Sequence, residues 1–171
     1  MNVSSTGSIG RRETTGRRVP PGTRVRAMEQ ADVGRVGAIE AASCTIPRKP
    51  ATFGTLLGWP GAVLLVLEVP PHRVAGYAVL WCIQDHGELA NIAVIPELRD
   101  RGLGSYLLDY VMDEACQREV VSLYLEVRIS NFRARSMYGS HGFEEIGVCR
   151  DYYERPQKDA RVLIKRLTPL R

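Results

Sequence analysis

Two periods of apolar residues organise the chain. From Leu103, the apolar side chains Leu103, Tyr106, Leu107, Tyr110, Val111 and Ala115 return every three or four residues, which is one face of an amphipathic helix. Between Val120 and Ile129, Leu123, Leu125 and Val127 alternate with Tyr124, Glu126 and Arg128, the period of a strand with one buried and one polar face. The remaining runs are shorter. Thr23 to Ala27 reads as a strand, and a helix carrying Val33, Val36, Ile39 and Glu40 follows from Gln30 or Asp32. Pro47 and Pro50 hold a loop from Cys44 to Pro50, ahead of a short helical piece around Thr52 to Leu57. Ala62 to Val69 and Arg73 to Gln84 are β-rich and joined by Pro70-Pro71-His72, a predicted hairpin in which Gly76 marks a bulge. A turn at Asp85-His86-Gly87 leads into a strand from Glu88 to Val94. Asn131 caps a helix through Ser140 that Gly142 ends. Glu144 to Arg150 and Arg161 to Leu167 complete the strands, with Asp151 to Pro156 between them as a loop. This order predicts an α/β (α+β) fold with a mixed sheet and helices on both faces.

Composition narrows the classes. At 171 residues, 44% apolar and 25% charged, the chain fits one globular domain. Its longest apolar run, Ala62 to Leu67, is strand-sized and far short of a membrane span. Cys44, Cys82, Cys116 and Cys149 form no Cys-x-x-Cys pair and only three histidines accompany them, so neither a metal site nor a disulfide framework is expected. A cytoplasmic setting suits that cysteine usage. The net charge of +4 could suggest nucleic acid, but residues 1–22 hold Arg11, Arg12, Arg17 and Arg18 against Glu13 alone. The rest is nearly neutral, which argues against direct nucleic-acid binding. That Ser/Thr/Gly/Arg-rich stretch, ending Pro20-Pro21-Gly22, buries too little to offset its ordering entropy. It is expected to be a disordered basic tail, with the domain running from 23 to 171.

The helix starting near Leu103 opens with Gly102 and Gly104, flanked by Arg99 and Arg101. A helix start offers unpartnered N–H groups and partial positive charge, and glycine lets an anion approach the main chain. Phosphate is therefore a candidate ligand, and a helix opened by glycine for steric reasons is the plain alternative. The dinucleotide pattern needs a third glycine where Leu107 stands, and a Walker loop needs a Gly-Lys-Ser/Thr that is absent.

With Arg99-x-x-Gly102-x-Gly104 opening the central helix, the order of elements resembles the GNAT superfamily of acyl-CoA-dependent N-acyltransferases. Gly-Glu-Leu-Ala-Asn91-Ile-Ala-Val, Leu-Glu126-Val-Arg-Ile-Ser-Asn131, Met-Tyr138-Gly-Ser-His-Gly-Phe143 and Asp-Tyr-Tyr153-Glu-Arg-Pro, followed by Asp159-Ala160, look like the RimI-type ribosomal-protein-alanine N-acetyltransferases. The resemblance spans about residues 24–167. It implies a single GNAT domain whose mostly antiparallel sheet of about seven strands is splayed at its centre, with acetyl-CoA in the opening. Ile92, Ala93 and Val94 would pair with the pantetheine arm. Arg99, Asp100, Arg101, Gly102, Leu103, Gly104 and Ser105 would hold the pyrophosphate, and Asn131 would contact the cofactor. No metal is implied.

An amine attacks a thioester only when neutral. Deprotonating an α-amine at pH 7 costs about 1 kcal/mol, against nearly 5 for lysine, so a modest base suffices for a protein N-terminus. Glu126 stands at the family's base position, with Glu88 as the second candidate; a solvated strand Glu paired with Arg128 is the alternative. Tyr138 stands at the family's donor position, where a phenol of pKa ~10 keeps its proton for the departing thiolate; a core-packed tyrosine is the alternative. Tyr152 and Tyr153 resemble the loop that shapes the acceptor groove. The expected reaction is direct acetyl transfer to a protein N-terminal α-amine, with the N-terminal alanine of a ribosomal protein as the acceptor the resemblance implies. Rivals are a GNAT acting on a small amine or lysine, and a non-catalytic acetyl-CoA-binding module. The stretch Ile46-Pro-Arg-Lys-Pro50 departs from the family's pattern and keeps the acceptor open.

Overall fold

The computed structural model describes residues 19–154 and 157–168, without the side chains of 150–158. Seven strands form one sheet: β1 (Arg24–Ala27), β2 (Ala62–Val69), β3 (His72–Ile83), β4 (His86–Val94), β5 (Ser122–Arg128), β6 (Glu144–Glu154) and β7 (Gln157–Arg166). Four α-helices accompany them: α1 (Val33–Ser43), α2 (Pro50–Leu56), α3 (Leu103–Gln117) and α4 (Phe132–Ser140). The strands lie in the order β1-β2-β3-β4-β5-β7-β6. Every neighbouring pair is antiparallel except β4 and β5.

Burial explains the sequence pattern. Val74 to Leu80 of β3 is buried on both faces, so that run is continuously apolar instead of alternating. One face carries Tyr77, whose ring meets Phe53 of α2 edge-on at 5.6 Å. The other face is covered by α3, which also packs on β3 and β4 and buries Leu107, Leu108 and Val111 completely. The stripe of α3 read from the sequence is thus its core face.

Two local expectations are corrected and a third is extended. The last two strands are longer than their apolar runs: β6 continues through Asp151 to Glu154, where Tyr153 pairs with Lys158. Backbone pairing continues there through polar residues that carry no strand period. The tight turn before β4 is Gln84-Asp85, with Gln84 at φ 54°, and His86 and Gly87 already belong to the strand. Gly76 borders the register shift between the pairs Leu67↔Gly76 and Val69↔His72, but close strand approach also requires it. A Cβ there would lie 2.7 Å from the Ala93 carbonyl oxygen. The tail expected at residues 1–22 falls outside the described residues up to position 18.

Candidate active site

The sheet opens where β4 and β5 meet. They pair over four rungs only, from His86↔Ser122 to Leu89↔Leu125, although β4 runs on to Val94 and β5 to Arg128. Beyond Leu89 the strands part. A bulge accompanies the parting: Val79↔Asn91 is followed by Leu80↔Leu89, so β4 holds one extra residue, Ala90. The extra residue changes the phase. Glu88, opposite Trp81, and Asn91, opposite Val79, face the same side of the sheet although three positions apart. Glu126 joins that side, because Tyr124 is level with Glu88.

Main-chain phase follows from one bond. Ile95 N–H donates to Ala75 O at 2.8 Å, so Ala93 and Asn91 spend their main-chain groups on β3. Ile92 and Val94 turn theirs toward the gap. Of the three strand residues expected beside a pantetheine arm, two therefore offer backbone there, while Ala93 offers only its side chain.

Past Val94, a short 3-10 turn (Pro96–Leu98) leads to Asp100 at φ 62° and Gly102 at φ 75°. Gly102 is the N-cap of α3, and no side chain caps that helix. The N–H groups of Leu103, Gly104 and Ser105 begin the helix with no residue four positions back to bond. Space around Gly102 is open, whereas a Cβ on Gly104 would stand 3.3 Å from the sulfur of Met137 in α4. Arg99 turns back to brace the loop, its Nε donating to Val94 O at 2.9 Å and its Nη2 to Ser43 Oγ at 3.2 Å. Asp100 is ion-paired with Arg133 of α4, and Arg101 is exposed without a partner among the described residues. Asn131 caps α4, its Oδ1 accepting from Ala134 N–H at 3.2 Å.

Glu126 and Glu88 are exposed, and neither has a hydrogen bond or ion pair among the described residues. The expected alternative for Glu126, a pair with Arg128, is not formed. Tyr138 is 6% exposed and packs edge-on against Phe143 at 5.6 Å. The side chains of Tyr152 and Tyr153 lie outside the described residues; their backbone belongs to β6.

One group escaped the sequence reading. Glu40 of α1 is 1% exposed, yet four groups donate to its carboxylate. These are the Tyr77 hydroxyl, Asn91 Nδ2 at 3.0 Å, the Arg48 backbone N–H at 3.0 Å and the Cys44 thiol at 3.2 Å. Arg48 Nη1 also donates to Asn91 Oδ1 and lies 3.7 Å from Glu40. Burial, then the Glu40 charge, push the Cys44 thiol up to about 12 and the Tyr77 hydroxyl well above its ordinary range. Glu40 falls on the apolar stripe of α1, and a charged residue at a core position was the available signal.

Among the described residues no group of three or more His, Cys, Asp or Glu could hold a metal ion, and no helix is long and apolar enough to cross a membrane. The splayed sheet, the glycine turn and the polar residues around the gap match a known pattern. Residues 35–143 match the model described as "Acetyltransferase (GNAT) family", and the chain belongs to that family of acetyl-CoA-dependent N-acetyltransferases. Its relatives include the [ribosomal protein bS18]-alanine N-acetyltransferase of Salmonella typhimurium, 36% identical over 134 residues, covering 78% of this chain and 88% of that one. The enzyme of the same name from Escherichia coli is 34% identical over 137 residues, covering 80% and 90%. The crystal structure of the ribosomal-protein-S18-alanine N-acetyltransferase from Escherichia coli superposes with a TM-score of 0.78 at 29% identity, over 87% of this chain and 96% of that chain.

Proposed function

We propose that this acetyltransferase modifies a protein N-terminal α-amine, with the alanine of a ribosomal protein as acceptor. The observation that carries the reading is kinship along nearly the whole length of relatives bearing that activity in their names. The polar residues at the gap support it. Glu126, without a partner among the described residues and on the open face, takes the proton of the incoming amine, directly or through water, with Glu88 the second candidate. An α-amine gives up its proton near neutral pH, so an ordinary carboxylate suffices. Acetyl-CoA, when bound, supplies the activated acetyl group. On this reading Ile92 and Val94 bind its arm through their backbone, residues 99–105 hold its pyrophosphate at the start of α3, and Asn131 meets it from α4. Arg99 shapes that turn through Val94 and Ser43. Tyr138 keeps a phenolic proton for the departing sulfur. The acceptor passes between the 44–50 loop and the Tyr152–Tyr153 segment, and the enzyme works in the cytoplasm beside its ribosomal-protein partner.

Thiol release from acetyl-CoA in the presence of short peptides tests the proposal. Peptides beginning with Ala, Ser or Met should be turned over, and an acetyl-blocked peptide with an internal Lys should not. Release with the blocked peptide alone would replace this reading with a lysine acetyltransferase. Tight acetyl-CoA binding without release on any amine would replace it with a binding module.

A further inference from the structure

The 44–50 loop carries a cation held half in place. Arg48 is anchored through its backbone N–H on Glu40 and through Nη1 on Asn91 Oδ1. Its side chain is 38% exposed, and its Nε and Nη2 have no partner among the described residues. Asn91 lies on the β4 margin of the gap, facing the same side as Glu126 on the β5 margin. The gap is thus flanked on one side by a carboxylate and on the other by a guanidinium whose outer donors have no partner among the described residues.

We propose that Arg48 is an acceptor-recognition residue, donating from Nε or Nη2 to the first peptide carbonyl of the acceptor while Glu126 meets its amine. The inference rests on the α-amine reading above and adds a reason for selectivity. In a protein N-terminus the amine and the first carbonyl group are separated by a single Cα, so one cation and one hydrogen-bond acceptor arrive close together. A lysine side chain places its nitrogen four methylenes beyond its Cα, and a simple alkyl amine has no carbonyl. Only an α-amine of a peptide satisfies both margins at once. Because Glu40 and Asn91 fix the inner half of Arg48, its outer donors are pre-oriented.

The experiment compares wild type, Arg48→Gln and Arg48→Lys on an Ala-led peptide and on 2-aminopropane, which keeps the branched amine carbon but lacks the carbonyl and is as basic as a lysine amine, each variant being compared with wild type on the same substrate. Arg48→Gln should raise KM for the peptide roughly 10- to 100-fold, the usual range for losing a charged hydrogen bond. Its kcat and acetyl-CoA affinity should stay near wild type and 2-aminopropane turnover should be unaffected, while loss of the Nη1 bond to Asn91 Oδ1 lowers the thermal midpoint. Arg48→Lys, one compact charge in place of a fork, should recover only part of the loss. An equal loss on both amines makes Arg48 a structural strut and overturns the proposal, as does an unchanged peptide KM. If 2-aminopropane is too poor a substrate to follow, the split between KM and kcat on the peptide decides alone. A wild-type enzyme that acetylates only the internal Lys of a blocked peptide defeats the α-amine reading itself, and it does so whatever Arg48→Gln shows.

Discussion

The two faces of the sheet meet the gap with different material. On the side of α3, the groups facing the opening are main-chain: the edge of Ile92 and Val94 and the first N–H groups after Gly102. They come from one stretch of the chain, 92–105. On the side of α1, the surface is a web of side chains gathered from four places: Glu40, the pair Cys44 and Arg48, Tyr77 and Asn91. A backbone surface tolerates most substitutions because every residue supplies the same amide, and only the glycines are fixed by geometry. A side-chain web tolerates few, since each buried group depends on its partners being present. On the proposed reading, the contrast separates binding a constant cofactor from choosing a particular amine.

Breaking the web should have the largest effect. Glu40→Ala leaves the Tyr77 hydroxyl, the Asn91 amide and Arg48 without their shared acceptor in a nearly dry site. A stability loss of about 3 kcal/mol is expected, measured by denaturant titration. A loss under ~0.5 kcal/mol would mean that some other contact holds this face. Next comes Tyr138→Phe, which keeps the ring against Phe143 but removes the proton. Turnover should fall about 100-fold with acetyl-CoA affinity unchanged; parallel loss of both would assign Tyr138 to packing. On the backbone face, Gly102→Val forces a branched side chain into the left-handed region, at a cost of about 1–2 kcal/mol. Calorimetric titration should show acetyl-CoA binding weakened roughly tenfold, and unaltered binding would remove Gly102 from the anion turn.

The smallest effect belongs to a site remote from the gap. Asp32 is buried beneath Arg26, whose hydrogen bonds at 2.7 and 3.0 Å hold its carboxyl below the usual range. A folded pKa below the unfolded value of about 3.9 means the contribution is complete at neutral pH and fades as pH drops below ~4. Asp32→Asn should cost about 1 kcal/mol at pH 7 and leave a shallower acid limb in the stability profile. Acetyl transfer measured at pH 7 should not change; if it does, the two ends of α1 are coupled.

How legible each face was in the sequence follows the same division. The α3 stripe, the alternating face of β5 and the Arg99-x-x-Gly102-x-Gly104 turn were readable because their determinants are local and periodic. Asn131 was readable as a cap for the same reason. The splay itself was expected only through the family resemblance, since nothing in Glu88 to Val94 announces that Ala90 is an extra residue. Once Ala90 is inserted, Asn91 changes sides and joins Glu40, Tyr77 and Arg48. No sequence period could carry that, because it depends on register with β3. The late strands were shortened for a related reason: the β6–β7 hairpin continues on backbone pairing between polar residues.

The seam of four rungs between β4 and β5 has a mechanical meaning. It divides the sheet at the point where the chain has just completed β1 to β4 with α1 to α3 and has yet to lay down β5, α4, β6 and β7. Each part zips up from antiparallel neighbours, and across the sheet the two are joined by this short parallel overlap. A molecule lying along the unzipped length would act as a suture, tying early and late portions of the polypeptide together. Occupancy of the gap then registers as added rigidity between those two portions of the sheet.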